Sequence, residues 1–251
     1  AADTWRKVHP HRSIGKMVGS DRTPDADLLF ASVQTLSQAR HLRTFDPTHF
    51  DYVVIDEFHH AAASSYRKLL AHFRPRFLLG LTATPDRMDG AALLDLCGDH
   101  LVARIGLVEG IQRKRLVPFA YHGVADSVDF ATIPWRSGRF DAAELTKRSN
   151  TLDRAKQALR EYRRHAPAGR RCTLVFCCSV AHADFMAAYL SEQGVPAAAV
   201  HSQPTSAPRA ASLRRLVAGE LEAICAVDVF NEGVDLPDVN VILMLRPTDS
   251  P

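Results

Sequence analysis

Two short polar sequences, each directly after an apolar run of strand length, hold the residues of this chain that could do chemistry together. The sequence DEFH (residues 56–59) follows residues 52–55, and TATP (residues 82–85) follows residues 77–81. The first supplies two adjacent carboxylates and an imidazole, and the second supplies two hydroxyl groups. Carboxylates bind hard cations such as Mg²⁺, and a carboxylate beside a bound phosphate can orient a water for attack on it.

The segment between these two sequences predicts the elements that position them. Ser64 can cap a helix whose apolar residues have helical spacing, namely Tyr66, Leu69, Leu70 and Phe73. A strand, a helix and a second strand in this order are typical of a parallel pair, whose strands end at the same edge of a sheet. We therefore predict that DEFH and TATP lie side by side, at the edge where α/β proteins bind ligands.

The carboxylate pair suits phosphoryl transfer. Asp56 could hold Mg²⁺, which usually takes one or two carboxylates together with waters and substrate phosphates. Glu57 could orient and polarise a water for attack on a terminal phosphate. The alternative is that both residues are helix caps or solvated loop ends, which often follow a buried strand. The TATP sequence after the next strand favours the chemical interpretation.

The sequence DEFH followed by TATP resembles motifs II and III of the superfamily 2 helicases and translocases, the DEAD/DEAH-box group. IDEFHHAAASSYRKLL and GLTATPDRMDG are most similar to bacterial helicases of the RadD-like type and, more distantly, to XPB. The resemblance implies ATP as the nucleotide, with Asp56 holding Mg²⁺ through water and Glu57 activating the attacking water. It also implies that His59 links the nucleotide side to the second domain. Thr82 and Thr84 would couple hydrolysis to movement on nucleic acid.

Three further sequences resemble motifs of the same family: ASVQTL (31–36), LVFCCS (174–179) and VDVFNEGVDLP (227–237). The resemblance implies nucleic-acid contacts for Thr35, Ser179 and Asn231, and nucleotide contacts for Gly233 and Asp235. A glycine permits close backbone approach, and an aspartate can accept a hydrogen bond from a ribose.

Simpler interpretations stay open for part of these motifs. Thr35 could only cap a helix, and Gly233 and Pro237 could be only turn residues. The chain also departs from the family at Val227, where many members have a threonine, so a hydroxyl group expected there is missing.

The order of the predicted elements indicates an α/β fold with two RecA-like, parallel-sheet domains of the P-loop NTPase type, both truncated. Residues 1 to about 20 resemble the end of a helix and a connector, and residues 91–107 predict a helix and a short strand. Residues 119–124 are a candidate added strand, and the next regular helix begins near Thr151. The expected organisation is a partial first domain (1–108), an interdomain segment (109–150) and a partial second domain (151–251).

Composition limits the class of protein and its partners. The net charge of +3, from 31 basic and 28 acidic residues, is too small to indicate nucleic-acid binding by itself. No apolar run approaches the length of a membrane span, and five cysteines without a CxxC pair favour free thiols in a reducing cytoplasm. The histidine and cysteine spacings match no usual zinc pattern. We expect a monomeric cytoplasmic protein without a membrane partner.

The chain has no GxxxxGK[ST] phosphate-binding loop, since its one Gly-Lys pair, Gly15-Lys16, is followed by Met17. The arginine-bearing motif VI of the family would follow residue 251. We therefore expect an internal fragment of a longer helicase that is itself inactive, because an arginine finger alone is worth ~10³–10⁵ in rate. The alternative is a non-catalytic nucleic-acid-binding scaffold that keeps the helicase fold. We expect DNA rather than RNA as the partner, and DNA repair or recombination as the process.

Overall fold

The computed structural model describes residues 2–84, 94–136, 139–230 and 236–247, which form α/β structure with mainly parallel sheets. The chain divides into two compact units, which we call unit 1 (Ala1–Pro118) and unit 2 (Phe119–Pro251). Among the described residues, no helix is both long enough and apolar enough to cross a membrane.

Unit 1 contains two small sheets. One has the order β2-β1-β3, in which β1 runs parallel to β3 and antiparallel to β2, and the other is the parallel pair β4-β5. In chain order the elements are α1 (Ala2–Val8), β1 (Ile14–Val18), β2 (Asp21–Arg22), β3 (Leu28–Ala31), α2 (Val33–Leu36), α3 (Ala39–Leu42), β4 (Tyr52–Ile55), a 3-10 helix (Phe58–His60), α4 (Ser64–His72), β5 (Phe77–Gly80) and α5 (Leu107–Gln112).

The predicted strand-helix-strand unit is confirmed as β4, α4 and β5. The two strands pair in parallel, with Ile55 opposite Gly80. One face of the pair packs on Phe58 and the α4 residues Tyr66 and Leu70, which accounts for the helical spacing of the apolar residues. The predicted cap was wrong: Ser64 is already helical, and the preceding residue, which occupies the cap position, makes no side-chain cap bond.

The N-terminal segment, predicted to be the end of a helix and a connector, contains a strand. β1 follows α1 and takes its pairing partners from residues 21–22 and 28–31. Gly15 explains how the strands approach each other here, because a Cβ at this position would lie 2.1 Å from the carbonyl oxygen of Thr23. The glycine is therefore a packing residue of a small sheet and not part of a phosphate-binding loop.

Unit 2 contains a four-stranded parallel sheet with the order β11-β8-β10-β9, and a short antiparallel hairpin formed by β6 and β7. In chain order its elements are a 3-10 helix (Phe130–Thr132), β6 (Trp135–Arg136), β7 (Arg139–Phe140), α6 (Ala142–Ser149), α7 (Leu152–His165), β8 (Thr173–Phe176), α8 (Val180–Glu192), β9 (Ala197–Val200), α9 (Arg209–Ala218), β10 (Ala223–Ala226) and β11 (Val241–Met244).

Helices cover both faces of the four-stranded sheet, which agrees with the predicted α/β, parallel-sheet domain. On one face, Leu159 of α7 and Met186 of α8 pack with Val175, and on the other, Leu216 of α9 packs with Ile224. All four residues of β10 are buried, which is typical of a central strand in a parallel sheet. Unit 2 thus has a core on each side of its sheet.

Predictions for the middle of the chain were partly wrong. Within residues 94–107 the structure shows no strand, and residues 119–124 run without regular secondary structure instead of forming an added strand. Helix α6 was missed, although Asp141 accepts a hydrogen bond from the Glu144 amide at its start. The structure divides the chain into its two units after residue 118. The predicted domain limits at residues 108 and 150 stay a prediction.

Candidate functional site

The carboxyl ends of β4 and β5 hold DEFH (56–59) and residues 82–84 of the TATP sequence at one edge of unit 1, and Pro85 lies outside the described residues. Beyond the last paired residues, the Leu81 amide donates to the Ile55 carbonyl at 2.9 Å, and the Phe58 amide donates to the Leu81 carbonyl at 2.8 Å. These bonds continue the pairing past the ends of the strands. The polar residues after β4 are therefore fixed against those after β5, as the sequence predicted.

The two carboxylates differ in their surroundings. Asp56 is exposed, and its Oδ1 accepts a hydrogen bond from the Glu57 amide at 3.0 Å. The side chain of Glu57 is 34% exposed, and its Oε2 lies 3.4 Å from Nδ1 of His59. Glu57 has a φ of 51°, in the left-handed region that non-glycine residues seldom adopt. The backbone at this turn is thus held in a costly conformation at the residue predicted to activate water.

His59 joins the two sequences. Its side chain is only 4% exposed, and its Nδ1 lies 3.1 Å from Oγ1 of Thr82. The same Thr82 oxygen accepts a hydrogen bond from the Thr84 amide at 3.1 Å. A buried imidazole therefore contacts the threonine of the neighbouring strand end on one side and approaches Glu57 on the other.

Packing of Phe58 on β5 sets the position of His59. A Cβ at Gly80 would lie 2.5 Å from the Phe58 ring, so only glycine leaves room for this ring against the strand. Phe58 is 5% exposed. Because His59 follows directly, the place of its imidazole depends on the absence of a side chain at Gly80.

The oxygen atoms at this edge fit a hard cation. Among the described residues, no three histidine, cysteine, aspartate or glutamate side chains converge on one point, so the site does not have the ligand set of an all-protein metal cage. Mg²⁺ usually keeps several waters and takes one or two carboxylates along with substrate phosphates. The exposed Asp56 carboxylate suits that role, and phosphates would supply the remaining charge.

Thr35 is buried, at 6% exposed, and lies inside α2. Ser32 is the N-cap of this helix: its Oγ accepts from the Thr35 amide at 3.3 Å and donates to Thr35 Oγ1 at 2.9 Å. The interpretation of Thr35 as the helix cap was therefore wrong. A nucleic-acid contact by Thr35 stays a prediction, and its hydroxyl group already has a protein partner.

In unit 2, Ser179 is the N-cap of α8, where its Oγ accepts a hydrogen bond from the His182 amide at 3.2 Å. The other three residues predicted from this half of the chain, Asn231, Gly233 and Asp235, lie outside the described residues. Their predicted contacts with nucleic acid and nucleotide stay predictions.

A buried histidine next to Ser179 was not singled out from the sequence. His182 is 1% exposed, and its Nδ1 lies 3.3 Å from Sγ of Cys178. Burial, helped by the nearby Arg154 guanidinium, lowers the pKa of His182 to about 4. Burial also raises the pKa of the Cys178 thiol. Both side chains are therefore neutral near pH 7, and neither is an activated nucleophile.

Two further charged contacts of unit 2 were also missed. Asp228, at the end of β10, has a φ of 54° and accepts a hydrogen bond from Arg246 at 2.9 Å. Arg154 forms a two-pronged ion pair with Asp126, and its side chain is only 10% exposed. The motif around Asp228 pointed to that residue, whereas no sequence pattern connects Arg154 with Asp126.

Matches to known families cover both halves of the chain. Residues 1–87 match the family described as type III restriction enzyme, res subunit. Residues 154–251 match the helicase conserved C-terminal domain.

Relatives of the chain carry helicase names. "Putative ATP-dependent helicase IRC3" of Saccharomyces cerevisiae is 29% identical over 261 residues, an alignment that covers 100% of this chain and 37% of the relative. "Putative DNA 3'-5' helicase Rad25" of Halobacterium salinarum is 29% identical over 234 residues, covering 90% of this chain and 36% of the relative. The chain thus spans little more than a third of the length of either.

A solved structure shares the fold. S. cerevisiae Dbp5 L327V, bound to RNA and ADP BeF3, is similar with a TM-score of 0.53 at 11% identity, over 98% of this chain and 59% of that one. At this identity the likeness concerns the fold alone. The predicted α/β fold with RecA-like, parallel-sheet domains is confirmed.

Proposed function

Because the chain belongs to the superfamily 2 helicases, we propose that the protein couples ATP hydrolysis to movement along DNA. The observation that supports this most directly is the contact between His59 and Thr82 at 3.1 Å, with Glu57 within 3.4 Å of the same imidazole nitrogen. A buried polar contact between two strand ends can pass a change at the carboxylates to the TATP segment.

The roles of the residues follow from this arrangement. Asp56 is the exposed carboxylate that would hold Mg²⁺ through water, and the bound ion would neutralise charge on the phosphates of ATP. Glu57 accepts a hydrogen bond from the attacking water and aligns it with the terminal phosphate. His59 responds to a change at Glu57 during hydrolysis. Thr82 and Thr84 transmit this change to the loop after β5.

The choice of DNA is supported by the name of the Rad25 relative, a DNA 3'-5' helicase. Dbp5, which shares the fold, was captured with RNA, so RNA is the other outcome of the test. The same proposal includes a role in DNA repair or recombination and a close relationship to the RadD-like helicases. It also includes a monomeric state. All five cysteines are free, which supports a reducing compartment such as the cytoplasm.

The test is ATP hydrolysis by the protein at its native length, with and without single-stranded DNA or RNA and with Mg²⁺ titrated. We expect stimulation by DNA and dependence on Mg²⁺. Glu57→Gln should lower turnover by about 10²–10⁴-fold, the usual contribution of a general base, while DNA binding is retained. Glu109→Gln is the matched control, because Glu109 is a half-buried glutamate of the same unit, like Glu57, and pairs with Arg113 away from the site.

Each alternative has its own outcome. Stimulation by RNA alone would contradict the choice of DNA. DNA binding without any ATP turnover would favour the scaffold, whose supporting observation is that the 251 residues contain no GxxxxGK[ST] sequence. Glu57→Gln turnover equal to that of the unmodified protein would contradict the assigned site.

A further inference from the structure

An ion pair spans the carboxyl edge of the four-stranded sheet of unit 2. Strand β8 lies between β10 and β11, so the ends of β10 and β11 are two strand spacings apart, about 10 Å. Arg246, two residues after β11, donates at 2.9 Å to Oδ1 of Asp228, two residues after β10. The guanidinium group of Arg246 lies 5.8 Å from the centre of the Phe176 ring, at the end of β8. The Arg246 side chain therefore crosses the end of the middle strand to reach Asp228.

The sheet holds the backbone next to both partners of this ion pair. The Leu245 amide donates to the Phe176 carbonyl at 3.0 Å, and the Val227 amide donates to the Val200 carbonyl at 3.3 Å. Leu245 and Val227 are the residues directly before the two partners. The ion pair thus begins where the hydrogen bonds between the strands end.

Asp228 is the residue at which the chain leaves the sheet. Its φ of 54° lies in the left-handed region, which aspartate tolerates better than most residues but which is still unfavourable for it. Two residues later, Phe230 is 5% exposed and belongs to the core on the α9 side, with the Arg209 guanidinium group 4.9 Å from the centre of its ring. Residues 227–230 are therefore held at both ends, and Arg246 acts on the turn between them.

A simpler role for this contact is that of a surface ion pair that only adds stability. The side chain of Asp228 is 72% exposed and that of Arg246 is 28% exposed, and ion pairs with so exposed a partner contribute little to stability. The direction of the chain after β10, in contrast, depends on the conformation of the single residue Asp228. An arginine suits this task because its planar group can stack on an aromatic ring while its N–H groups donate to a carboxylate.

We infer that Arg246 is a positioning residue, which holds Asp228 in its left-handed conformation and so sets where the 227–237 segment begins. The inference rests on the proposed function, because the resemblance assigns nucleotide contacts to Gly233 and Asp235 of this segment. It adds a residue that lies outside every motif quoted from the sequence. Loss of Arg246 should therefore weaken nucleotide binding, although Arg246 itself is assigned no contact with the nucleotide.

The first experiment tests the conformation of Asp228 in the 251-residue chain by NMR. The amide proton and Hα of one residue lie closest together at positive φ, so their nuclear Overhauser effect at Asp228 should be strong in the unmodified chain. Arg246→Gln should weaken it, and Arg246→Lys, which keeps the charge but not the planar group, should weaken it less. Arg215→Gln is the matched control, because Arg215 forms an ion pair with Glu220 of the same unit at 3.2 Å. An unchanged effect in Arg246→Gln would overturn the inference.

The second experiment measures ATP turnover by the protein at its native length, with single-stranded DNA and varied ATP. Arg246→Gln should raise KM for ATP about tenfold, equivalent to the loss of roughly one hydrogen bond to the nucleotide, and should change kcat less. In the Asp228→Asn variant, from which the carboxylate is already absent, Arg246→Gln should have a much smaller effect, because both changes remove the same contact. Arg215→Gln should leave KM unchanged.

The possible failures are distinguishable. An unchanged KM in Arg246→Gln, or an equal rise in Arg246→Gln and Arg215→Gln, would overturn the inference and leave the proposed function in place. A fall in kcat without a rise in KM would also overturn it, since a displaced nucleotide contact acts on binding. Absence of turnover by the unmodified protein would contradict the proposed function, and the nuclear Overhauser effect at Asp228 would then decide the role of Arg246 separately.

Discussion

Protonation of His182 should make unit 2 less stable in mild acid, by an amount that follows from its surroundings. The imidazole is 1% exposed and has a pKa of about 4, compared with an ordinary value of 6.5. Below pH 6.5 the unfolded chain binds a proton that folded His182 does not, so stability falls as pH decreases towards 4. For this one group the loss between pH 7.5 and pH 4.5 is about 2.5 kcal/mol.

The assay is urea unfolding at pH 7.5 and pH 4.5, with hydrogen exchange at the α8 amides as a readout restricted to unit 2. His182→Gln keeps a polar side chain that does not titrate, so it should remove most of the acid loss, although it costs some stability at both pH values. His11→Gln is the control, because His11 is exposed. The pKa of His41 is lowered as well, so this residue also makes stability depend on pH. The acid loss of His182→Gln is therefore compared with the losses of the unmodified chain and of His11→Gln, and not with a stability that is independent of pH.

Equal losses for the unmodified chain and His182→Gln between these two pH values would refute the reasoning. That result would mean that the buried imidazole takes up its proton as easily as it does in the unfolded chain. Acid unfolding below pH 4 is a separate effect. It belongs to carboxylates such as Asp126, whose pKa is lowered by the hydrogen bonds and charge of Arg154 despite partial burial.

Three further predictions concern unit 1 and its site. The 251-residue chain alone should hydrolyse ATP at background rates because it has no phosphate-binding loop sequence, and turnover that Glu57→Gln abolishes would contradict this. In a double-mutant cycle of urea unfolding, His59→Leu and Thr82→Val should show a coupling of about 0.5–1.5 kcal/mol, and additive effects would mean that the 3.1 Å contact contributes nothing. Gly80→Ala should lower stability by about 1–3 kcal/mol because the new Cβ overlaps the Phe58 ring, and a neutral effect would show that the ring moves freely.

The parts of the fold that were predictable have local signals. The β4-α4-β5 unit was readable because its apolar runs, its helical spacing and its polar ends all lie within about 30 residues of sequence. Strand β1 was missed because its partners in β3 are chosen by tertiary pairing and because Gly15 is a poor strand former. Helix α6 is short, and its local signal is limited to a capping pair, Asp141 followed three residues later by Glu144.

The sequence predicted which strand ends meet in the candidate site, but not which side-chain atoms contact each other there. Parallel pairing brings residues 56–59 and 82–84 to one edge, whatever their side chains do. The contact between His59 and Thr82 depends on side-chain rotamers and on the place of the Phe58 ring, which no sequence spacing encodes.

At position 57, the stability of the fold and the proposed chemistry favour different residue types. With a φ of 51°, its backbone favours a glycine or an asparagine, and a left-handed glutamate costs the folded chain on the order of 1 kcal/mol. A sequence optimised for thermal resistance alone would lose this carboxylate early. Laboratory evolution for heat tolerance should therefore replace Glu57, and simultaneous selection for turnover should keep it.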